Sequence, residues 1–496
     1  MFEELYDNLK VIDADQANWE DEILEEVGPK EPETTRPFEA ILNLVQGLGV
    51  KTVVIELRYV DSEFLDEFRT HYSTSFCCYP TVCKRIHFFN KSFTKNEVPT
   101  LNLAEQGYLG FSIIRPIGSF CTGRTILTSP KHDGDTMFTL CKARFEVNLV
   151  GNKLSVNGMP FMQQDTNVGV CAQAAIWMAS LYMHQKLNLP HFSPSQITVA
   201  ATKSLTIGPV RRGLVPEQIL TALREMGYTP VIFTHYDDEI TSRIIYAYAE
   251  SELPVIMLLQ VGTEGHAVVV GGHDFHYRQH IDSSWESNIH WIDRFYIHDD
   301  AMTPYTEMLV RGRVGRKRGV SYSITEHARY VIVPVSPTIT MQANDVFDHF
   351  DTVMEHLNAL VDLFGEKAAP FRFSNFELEG IVLRTYLRAS NDFKVGLSTE
   401  MSELFRHRYK GMCMPRYIWV TEISKHEYIN KSRSRDRKTI GEIIIDSTAD
   451  RHAHMGSYLA IHLLGRMIVR RPEEIEPYAL YVDPSEKPYG HLVRQI

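Results

Sequence analysis

A single cysteine at the start of a long apolar stretch constrains this chain most. Cys171 follows a polar, glycine-containing loop, Gln163 to Val170, and precedes an alanine-rich segment that continues to about Leu187. Alanine, glutamine, methionine and leucine favour helix, so the sequence predicts Cys171 in the first turn of a buried helix. The helix dipole and the bare backbone N–H groups there favour the thiolate, which is the nucleophilic form. The alternative is an ordinary core cysteine, and only a suitably placed base argues against it.

A histidine and two carboxylates follow on predicted strands. Residues 252–259 form a predicted buried strand, and a second, β-branched strand carries His266 at its start. A third predicted strand begins at Arg294 and ends at the adjacent carboxylates Asp299 and Asp300. The order is therefore a cysteine, a histidine on a strand, and an acid at a strand end. Because side chains alternate along a strand, the pattern leaves open which of the two aspartates faces inward.

This ordered set resembles the papain-like cysteine peptidase superfamily, and within it the bacteriocin-processing peptidases and their relatives. In that branch a glutamine precedes the cysteine, a helix follows it, and a block of the form Pro-Val-Ile … Gly-His-Ala-Val-Val-Val-Gly carries the histidine. The same block occupies residues 254–256 and 265–271 here. A helix, a glycine and a strand over 216–233 are also similar to that branch. The resemblance covers roughly Met159 to Pro334.

The resemblance implies a helix that carries the cysteine and packs on an antiparallel sheet, and it implies catalysis through a thioester. Cys171 would attack a carbonyl carbon, and His266 would hold an ion pair with the thiolate and then protonate the leaving amine. Asp299, or Asp300 in its place, would orient the histidine. The backbone N–H of Cys171 and a glutamine side chain would bind the oxyanion.

The position of that glutamine departs from the family pattern, in which it lies six residues before the cysteine. Asp165 occupies this position here, while Gln164 and Gln163 lie one and two residues further upstream. We predict that a one-residue bulge brings Gln164 into the oxyanion hole, because a carboxylate offers no donor at neutral pH. If Asp165 faced the developing negative charge instead, hydrolysis would be impaired.

The whole chain is predicted to be α+β and multidomain, with the papain-like domain in the centre. The predicted segments are an acidic, irregular lead-in over 1–37, an α+β domain over 38–156, the papain-like domain over 157–336 and a C-terminal α+β domain over 337–496. In the last of these, a strong helical period predicts a helix from Val346 to Phe364, and a further helix is predicted near Ser457 to Val469.

Two groups of residues outside the central domain could carry chemistry, and we predict a structural role for both. Four possible zinc ligands lie close together in sequence: Cys77, Cys78, Cys83 and His87. Adjacent cysteines chelate one metal poorly, so buried thiols are the preferred interpretation. Arg115 and Arg124 could bind an anion, but ion-paired or surface arginines are commoner.

Composition argues against several classes of function. The 496 residues carry a net charge of −11, which disfavours broad nucleic-acid binding, and the basic run 431–438 is interpreted as an exposed hairpin loop. The acidic start lacks a secretory signal and no stretch of about 18 apolar residues occurs, so neither export nor a membrane span is expected. Seven cysteines without a regular spacing then favour reduced thiols in a cytoplasm.

The sequence thus predicts a cytoplasmic cysteine peptidase that cleaves a peptide or isopeptide bond, with no cofactor and no metal. Its expected partners are a protein or peptide substrate, and the flanking domains are expected to bind that substrate or a further protein. One alternative keeps the site but changes the reaction to glutamine deamidation or acyl transfer, since a side-chain amide also gives a thioester. Another is a non-catalytic scaffold with a degenerate papain-like domain.

Overall fold

Three large β-sheets with helices packed on them make up the described chain, which is α+β. The computed structural model describes residues 7–27, 32–117, 122–130, 137–164, 171–203, 213–278, 285–314, 320–431, 436–449, 457–471 and 478–490. Within these ranges, no helix has the length and apolar character needed to cross a membrane.

The strands and helices are numbered in chain order. The strands are β1 (Leu9–Asp13), β2 (Thr52–Tyr59), β3 (Cys83–Phe89), β4 (Tyr108–Ile114), β5 (Thr122–Leu127), β6 (Met137–Thr139), β7 (Ala143–Leu149), β8 (Asn152–Gly158), β9 (Pro160–Phe161), β10 (Thr229–Thr234), β11 (Val255–Val261), β12 (Glu264–Asp274), β13 (Trp285–Ser287), β14 (Arg294–His298), β15 (Thr306–Leu309), β16 (Val320–Ser323), β17 (Ala328–Val335), β18 (Ile381–Ala389), β19 (Tyr417–Lys425), β20 (Lys438–Thr439), β21 (Gly441–Asp446), β22 (Tyr458–Leu463), β23 (Arg466–Arg470), β24 (Tyr478–Val482) and β25 (Tyr489–Gly490). The helices are α1 (Trp19–Val27), α2 (Pro32–Gly47), α3 (Ser62–Thr70), α4 (Cys171–Leu187), α5 (Pro194–Thr202), α6 (Pro216–Glu225), α7 (Asp238–Glu250), α8 (Ile324–His327), α9 (Ala343–Asp362), α10 (Asn375–Leu378), α11 (Ser390–Gly396), α12 (Glu403–Gly411) and α13 (His426–Ile429).

The first sheet is antiparallel, in the order β1-β2-β3-β4-β5-β9. The acidic start of the chain, predicted to be irregular, instead supplies β1, α1 and the beginning of α2, so that prediction is wrong. Ile12, Trp19 and Ile23 are buried in the hydrophobic core. Their burial stabilises strand and helix although acidic residues surround them in sequence.

The second sheet carries the region around the cysteine, in the order β10-β17-β11-β12-β14-β15-β16, with β6 also paired to β12. Its pairs are antiparallel except β15–β16. The predicted helix begins at Cys171 as α4 and packs against β12, and its residues 172–183 are all buried. An apolar helix of this kind needs cover on every side, which β7, β9, β11 and α5 supply.

The third sheet has the order β13-β18-β19-β21-β22-β23-β24 and is antiparallel except for the pair β13–β18. The helix predicted from Val346 to Phe364 is present as α9. The helix predicted near Ser457 to Val469 is wrong, since that segment forms the hairpin β22–β23. Its turn places Leu464 and Gly465 at φ 50° and 74°, a left-handed conformation that a continuous helix does not contain.

Three strands join a sheet other than the main sheet of their chain segment. β6 lies within the segment 38–156 but joins the second sheet, β9 lies within 157–336 but joins the first, and β13 from that same segment joins the third. The three sheets are therefore interlocked along the chain rather than joined by single linkers.

Candidate active site

The helix α4 holds the cysteine at its first residue. Cys171 is half-buried, whereas residues 172–183, which follow it in the helix, are all buried. The Trp177 indole N–H donates to the Glu63 carboxylate of α3, and the Tyr182 hydroxyl donates to the Glu252 carbonyl at 2.9 Å. These two bonds fix the helix against neighbouring elements, and its first N–H groups lack intrahelical partners. A thiol at this position therefore lies beside backbone donors and the positive end of the dipole.

Two neighbouring strands place a histidine and an acid beside that thiol. His266 lies near the start of β12, and Asp299 directly follows β14, which pairs with β12. The Nε2 atom of His266 lies 2.9 Å from Oδ1 of Asp299, and His266 also hydrogen-bonds to Cys171. Since Asp299 occupies Nε2, Nδ1 is the ring nitrogen left for the sulfur. The structure thus brings together Cys171, His266 and Asp299 in the predicted order.

Opposing effects act on the protonation of His266. Burial lowers its pKa, whereas the hydrogen bonds to Asp299 and Cys171, and the charges of Asp299 and Asp300, raise it. The anionic partners prevail and raise the pKa of His266 to about 11. The imidazolium form is therefore favoured at neutral pH, as an ion pair with a thiolate requires.

The two adjacent aspartates differ in their contacts. Oδ1 of Asp299 accepts from His266 and from the backbone N–H of Ala301 at 2.9 Å. Oδ1 of Asp300 lies 3.9 Å from Nε2 of His266, beyond hydrogen-bonding distance. Burial, reinforced by the charge of Asp299 and opposed by that of His266, raises the pKa of Asp300 to about 7. The backbone N–H of Gln164 also opposes this rise, but neither Asp300 oxygen makes a well-formed hydrogen bond with the described residues.

The glutamines before the cysteine occupy different surroundings. Gln163 is buried, and its side-chain oxygen accepts from the Thr122 N–H at 3.1 Å, while its own N–H donates to the Thr122 carbonyl at 3.0 Å. It is therefore anchored to β5. Gln164 is half-buried and close to Asp300. Asp165 lies outside the described residues, so the choice of oxyanion donor stays a prediction.

Tyr322 is a member of this site that sequence reasoning missed. It lies on β16, with its ring centroid 5.9 Å from that of His266 and only 8% of its surface exposed. Burial raises its pKa well above the usual range, and the negative charges of Asp299, Asp300 and Cys171 act in the same direction. No motif in the sequence marks Tyr322, because the folding of β16 and α8 back toward β11 brings it there.

Two clusters in the described part of the chain have the ligand types and spacing of a metal site. His266, Asp299 and Asp300 offer ligand atoms within 4.8 Å of one another, and so does a second group, Asp274, His276 and Asp293. In the second group Asp274 is buried and His276 is exposed, and the Asp274 carboxylate already accepts from the backbone N–H of Asp293 at 2.8 Å.

The possible zinc ligands of the first sheet do not converge. His87 hydrogen-bonds to Glu56 at 3.1 Å and to Tyr108 at 2.9 Å. Cys83 is buried, and burial raises its pKa to about 12. Cys77 and Cys78 are exposed rather than buried as predicted. Their exposure follows from a segment, 75–82, that lies outside any helix or strand.

The remaining candidates have structural partners. Arg115 pairs with Glu67 at 3.2 Å, and Arg124 pairs with Asp61 at 2.8 Å, so both arginines are ion-paired as expected. His273 follows the pair Gly271–Gly272, so the sequence predicts it to be a loop residue and makes it a rival base to His266. The loop prediction is wrong, since His273 lies in β12 and hydrogen-bonds to Glu250 at 2.7 Å.

Comparison with known proteins gave no match to this chain, either among protein-family models or among curated proteins.

Proposed function

We propose that this chain is a cysteine peptidase that cleaves a peptide or isopeptide bond through a thioester intermediate. The observation that carries the proposal is the continuous contact from Cys171, at the start of a buried helix, through His266 to the buried carboxylate of Asp299. A helix packed on an antiparallel sheet supports a papain-like architecture for this region. Cys77, Cys78, Cys83, Cys171 and Cys413 are free thiols, which supports a reducing compartment such as the cytoplasm.

The side chains supply each proton transfer that the reaction needs. The Cys171 thiolate attacks the carbonyl carbon, and the C–N bond breaks as Nδ1 of His266 gives its proton to the leaving amine. A water molecule then attacks the thioester while Nδ1 takes its proton, and cleavage of the C–S bond releases the acid and restores the thiolate–imidazolium pair. Asp299 keeps the other proton on Nε2 throughout and so fixes the tautomer and the ring orientation. The oxyanion is stabilised by the Cys171 backbone N–H together with the Gln164 side chain.

The buried ionic groups favour an enzyme over the scaffold alternative. Asp299 and Asp300 are both fully buried beside a histidine, an arrangement with a high desolvation cost. Perturbed ionisable groups of this kind concentrate at catalytic sites. Deamidation or acyl transfer would use the same nucleophile and base, and only the substrate distinguishes these reactions from hydrolysis.

The reactivity of the thiols tests the assignment of the nucleophile. We expect limiting iodoacetamide at neutral pH to label Cys171 before Cys77, Cys78 or Cys413, although those three are more exposed. Mapping the label by mass spectrometry gives the order, and His266→Ala should abolish the preference. Labelling of Cys413 first, with Cys171 unmodified, would rule out the assignment.

Turnover tests the proposed reaction itself. The native chain and the Cys171→Ala variant are each incubated with a proteome-derived peptide library, and new termini are counted by mass spectrometry. New termini that require Cys171 support hydrolysis. Conversion of glutamine to glutamate without new termini would favour the deamidase instead.

A further inference from the structure

The acidic side of the site contains buried oxygen atoms that lack well-formed hydrogen bonds. Asp299 and Asp300 each have no exposed surface. Within the described residues, Oδ2 of Asp299 and both carboxylate oxygens of Asp300 make no well-formed hydrogen bond, although the Tyr322 hydroxyl lies near Asp299 and the Gln164 N–H lies near Asp300. Burying such an atom unsatisfied costs about 1–3 kcal/mol, and more for a charged group. Unsatisfied oxygens gathered at one point therefore indicate a ligand that supplies positive charge.

The distances fit a small cation. Oδ1 of Asp299 lies 2.9 Å, and Oδ1 of Asp300 lies 3.9 Å, from Nε2 of His266. Ligand atoms bound tetrahedrally to zinc at about 2.0–2.1 Å lie roughly 3.3 Å from each other. The two separations bracket this value, and all three ligand atoms lie within 4.8 Å of one another, so side-chain movements would bring them onto one ion. One imidazole and two carboxylates leave a fourth position for water, which is the ligand number of an open zinc site.

The chemistry of the side chains points the same way. Two buried carboxylates lie beside one imidazole, so the cluster offers oxygen and nitrogen ligands to a divalent cation. Ca²⁺ and Mg²⁺ prefer a larger set of oxygen ligands, whereas an imidazole with few carboxylates suits zinc and its neighbours in the first transition series.

We propose that His266, Asp299 and Asp300 bind a divalent transition-metal ion of the zinc class, and that this ion reversibly inhibits the enzyme. The inhibitory consequence rests on the proposed function, while binding itself does not. The ion takes the place of the proton on Nε2, which leaves to solvent, and no group is oxidised or reduced. Nδ1 then keeps its proton, because losing it would leave an imidazolate. His266 therefore no longer exchanges protons with the thiol and the leaving amine.

Cys171 is not a ligand in this arrangement, since the group of ligand atoms within 4.8 Å of one another comprises His266, Asp299 and Asp300. This separates the proposal from simple capture of zinc by a reactive thiol. The titration should be made on the full chain with the exposed Cys77, Cys78 and Cys413 replaced by serine, so that surface thiols do not contribute. In that background, Zn²⁺ and Co²⁺ binding are measured by calorimetry, and Co²⁺ binding also by visible absorption.

Three variants decide the outcome. Cys171→Ser should keep the metal affinity within about threefold, whereas Asp300→Asn should weaken it tenfold or more, because a ligand is lost. His276→Ala, in the second cluster, is the matched control and should leave the affinity of this site unchanged. Unchanged affinity in Asp300→Asn, or loss of binding in Cys171→Ser alone, would overturn the proposal.

The activity of the wild-type chain gives a separate readout. Zn²⁺ should suppress turnover and a chelator should restore it. Activation by Zn²⁺, or loss of activity on chelation, would overturn the inhibitory role. If Zn²⁺ binds as described but no substrate is cleaved, the proposed function fails while the metal site stands. If substrate is cleaved but no metal binds, the proposed metal site fails while the proposed function stands.

Discussion

At the residue scale, the adjacent side chains Asp299 and Asp300 are expected to contribute unequally to turnover. Asp299 accepts the His266 Nε2–H at 2.9 Å, whereas Asp300 lies too far away to do so. Asp299→Ala should lower kcat by about ten- to a hundredfold and leave partial activity, because His266 keeps its ion pair with the thiolate. His266→Ala should nearly abolish acylation. Both rates are measured as the burst and steady-state release of product.

The Asp300→Ala variant is the comparison for this prediction. It should retain more activity than Asp299→Ala, since the hydrogen bond that orients the imidazole stays intact. An unchanged rate in Asp299→Ala beside an inactive Asp300→Ala would transfer the orienting role to Asp300.

Substitutions of the two glutamines before the cysteine should also have different effects on turnover and stability. Gln164→Ala should lower kcat by about a hundredfold or more, on the order of 3 kcal/mol, because one oxyanion donor is lost. Gln163→Ala should mainly reduce stability, since the side-chain oxygen of Gln163 accepts from Thr122 inside the first sheet. Measuring kcat and the unfolding midpoint for both variants tests this. Loss of kcat in Gln163→Ala, with Gln164→Ala near wild type, would contradict the assignment.

The resemblance to papain-like peptidases implied that Cys171 and His266 are neighbours, and local patterns predicted the helix and the strand at whose starts they lie. It left Asp299 and Asp300 unresolved, since consecutive residues that follow a strand can both be buried, as both are here. The sequence did not predict Tyr322 as a site residue, for a different reason. Tyr322 lies beside His266 because of the path that β16 takes in the fold, and no local sequence pattern indicates that path.

At the scale of single elements, prediction succeeded where one pattern dominated. The sequence predicts strands over residues 52–59, which include β-branched residues, and over 83–89, and both are observed with those bounds as β2 and β3. The helix prediction for Ser457 to Val469 was wrong because β22 and β23 are covered on both faces, so their apolar residues do not alternate with polar ones. The turn at Leu464 and Gly465 was then the remaining signal for a hairpin.

The strand pair β21–β22 contains a buried charge that should make stability depend on pH. His462 lies between Glu442 at 3.0 Å and Glu486 at 2.7 Å. Burial lowers its pKa, but the charges and hydrogen bonds of the two glutamates prevail and raise it to about 9. A raised folded-state pKa means that the stabilisation is complete below about pH 6.5, the unfolded value, and is lost as pH rises through 9. The free energy of unfolding, from urea titrations between pH 6 and 10, should fall over that window by up to about 3 kcal/mol.

A histidine on the surface provides the control for this effect. His407→Gln, at an exposed position, should leave the pH profile unchanged. His462→Gln should be less stable at pH 6 and should lose the dependence between pH 6.5 and 9. A wild-type profile that is flat over this window would show that His462 is neutral in the folded chain.

At the scale of the whole molecule, the sequence did not predict the contacts between the sheets. The Trp177 indole of the cysteine helix bonds to Glu63 of α3, and β6 and β13 join sheets other than those of their neighbours in the chain. Such pairings depend on residues that are distant in sequence, so no local period indicates them. The flanking segments therefore position the candidate site as well as adjoining it.

A buried network joins the second sheet to the third. Arg384 of β18 donates to Glu250 of α7 at 2.7 Å and to Glu422 of β19 at 2.8 Å. Glu250 in turn accepts from His273 of β12 at 2.7 Å. Arg384→Met should destabilise the chain by about 3–5 kcal/mol, because two carboxylates are left buried without their cation. Chemical denaturation followed by intrinsic fluorescence measures the change.

The exposed pair Arg372–Asp362 separates this effect from the general loss of an arginine. Arg372→Met should change the free energy of unfolding by less than about 1 kcal/mol, since solvent screens that pair. In the buried network, adding Glu422→Gln to Arg384→Met should recover part of the lost stability, because it removes one uncompensated charge. If Arg384→Met were as mild as Arg372→Met, the two sheets would be held together by apolar packing and the network would not fix their relative position. The joint loss of stability and of Cys171 reactivity in Arg384→Met would instead show that the third sheet supports the site through α7 and β12.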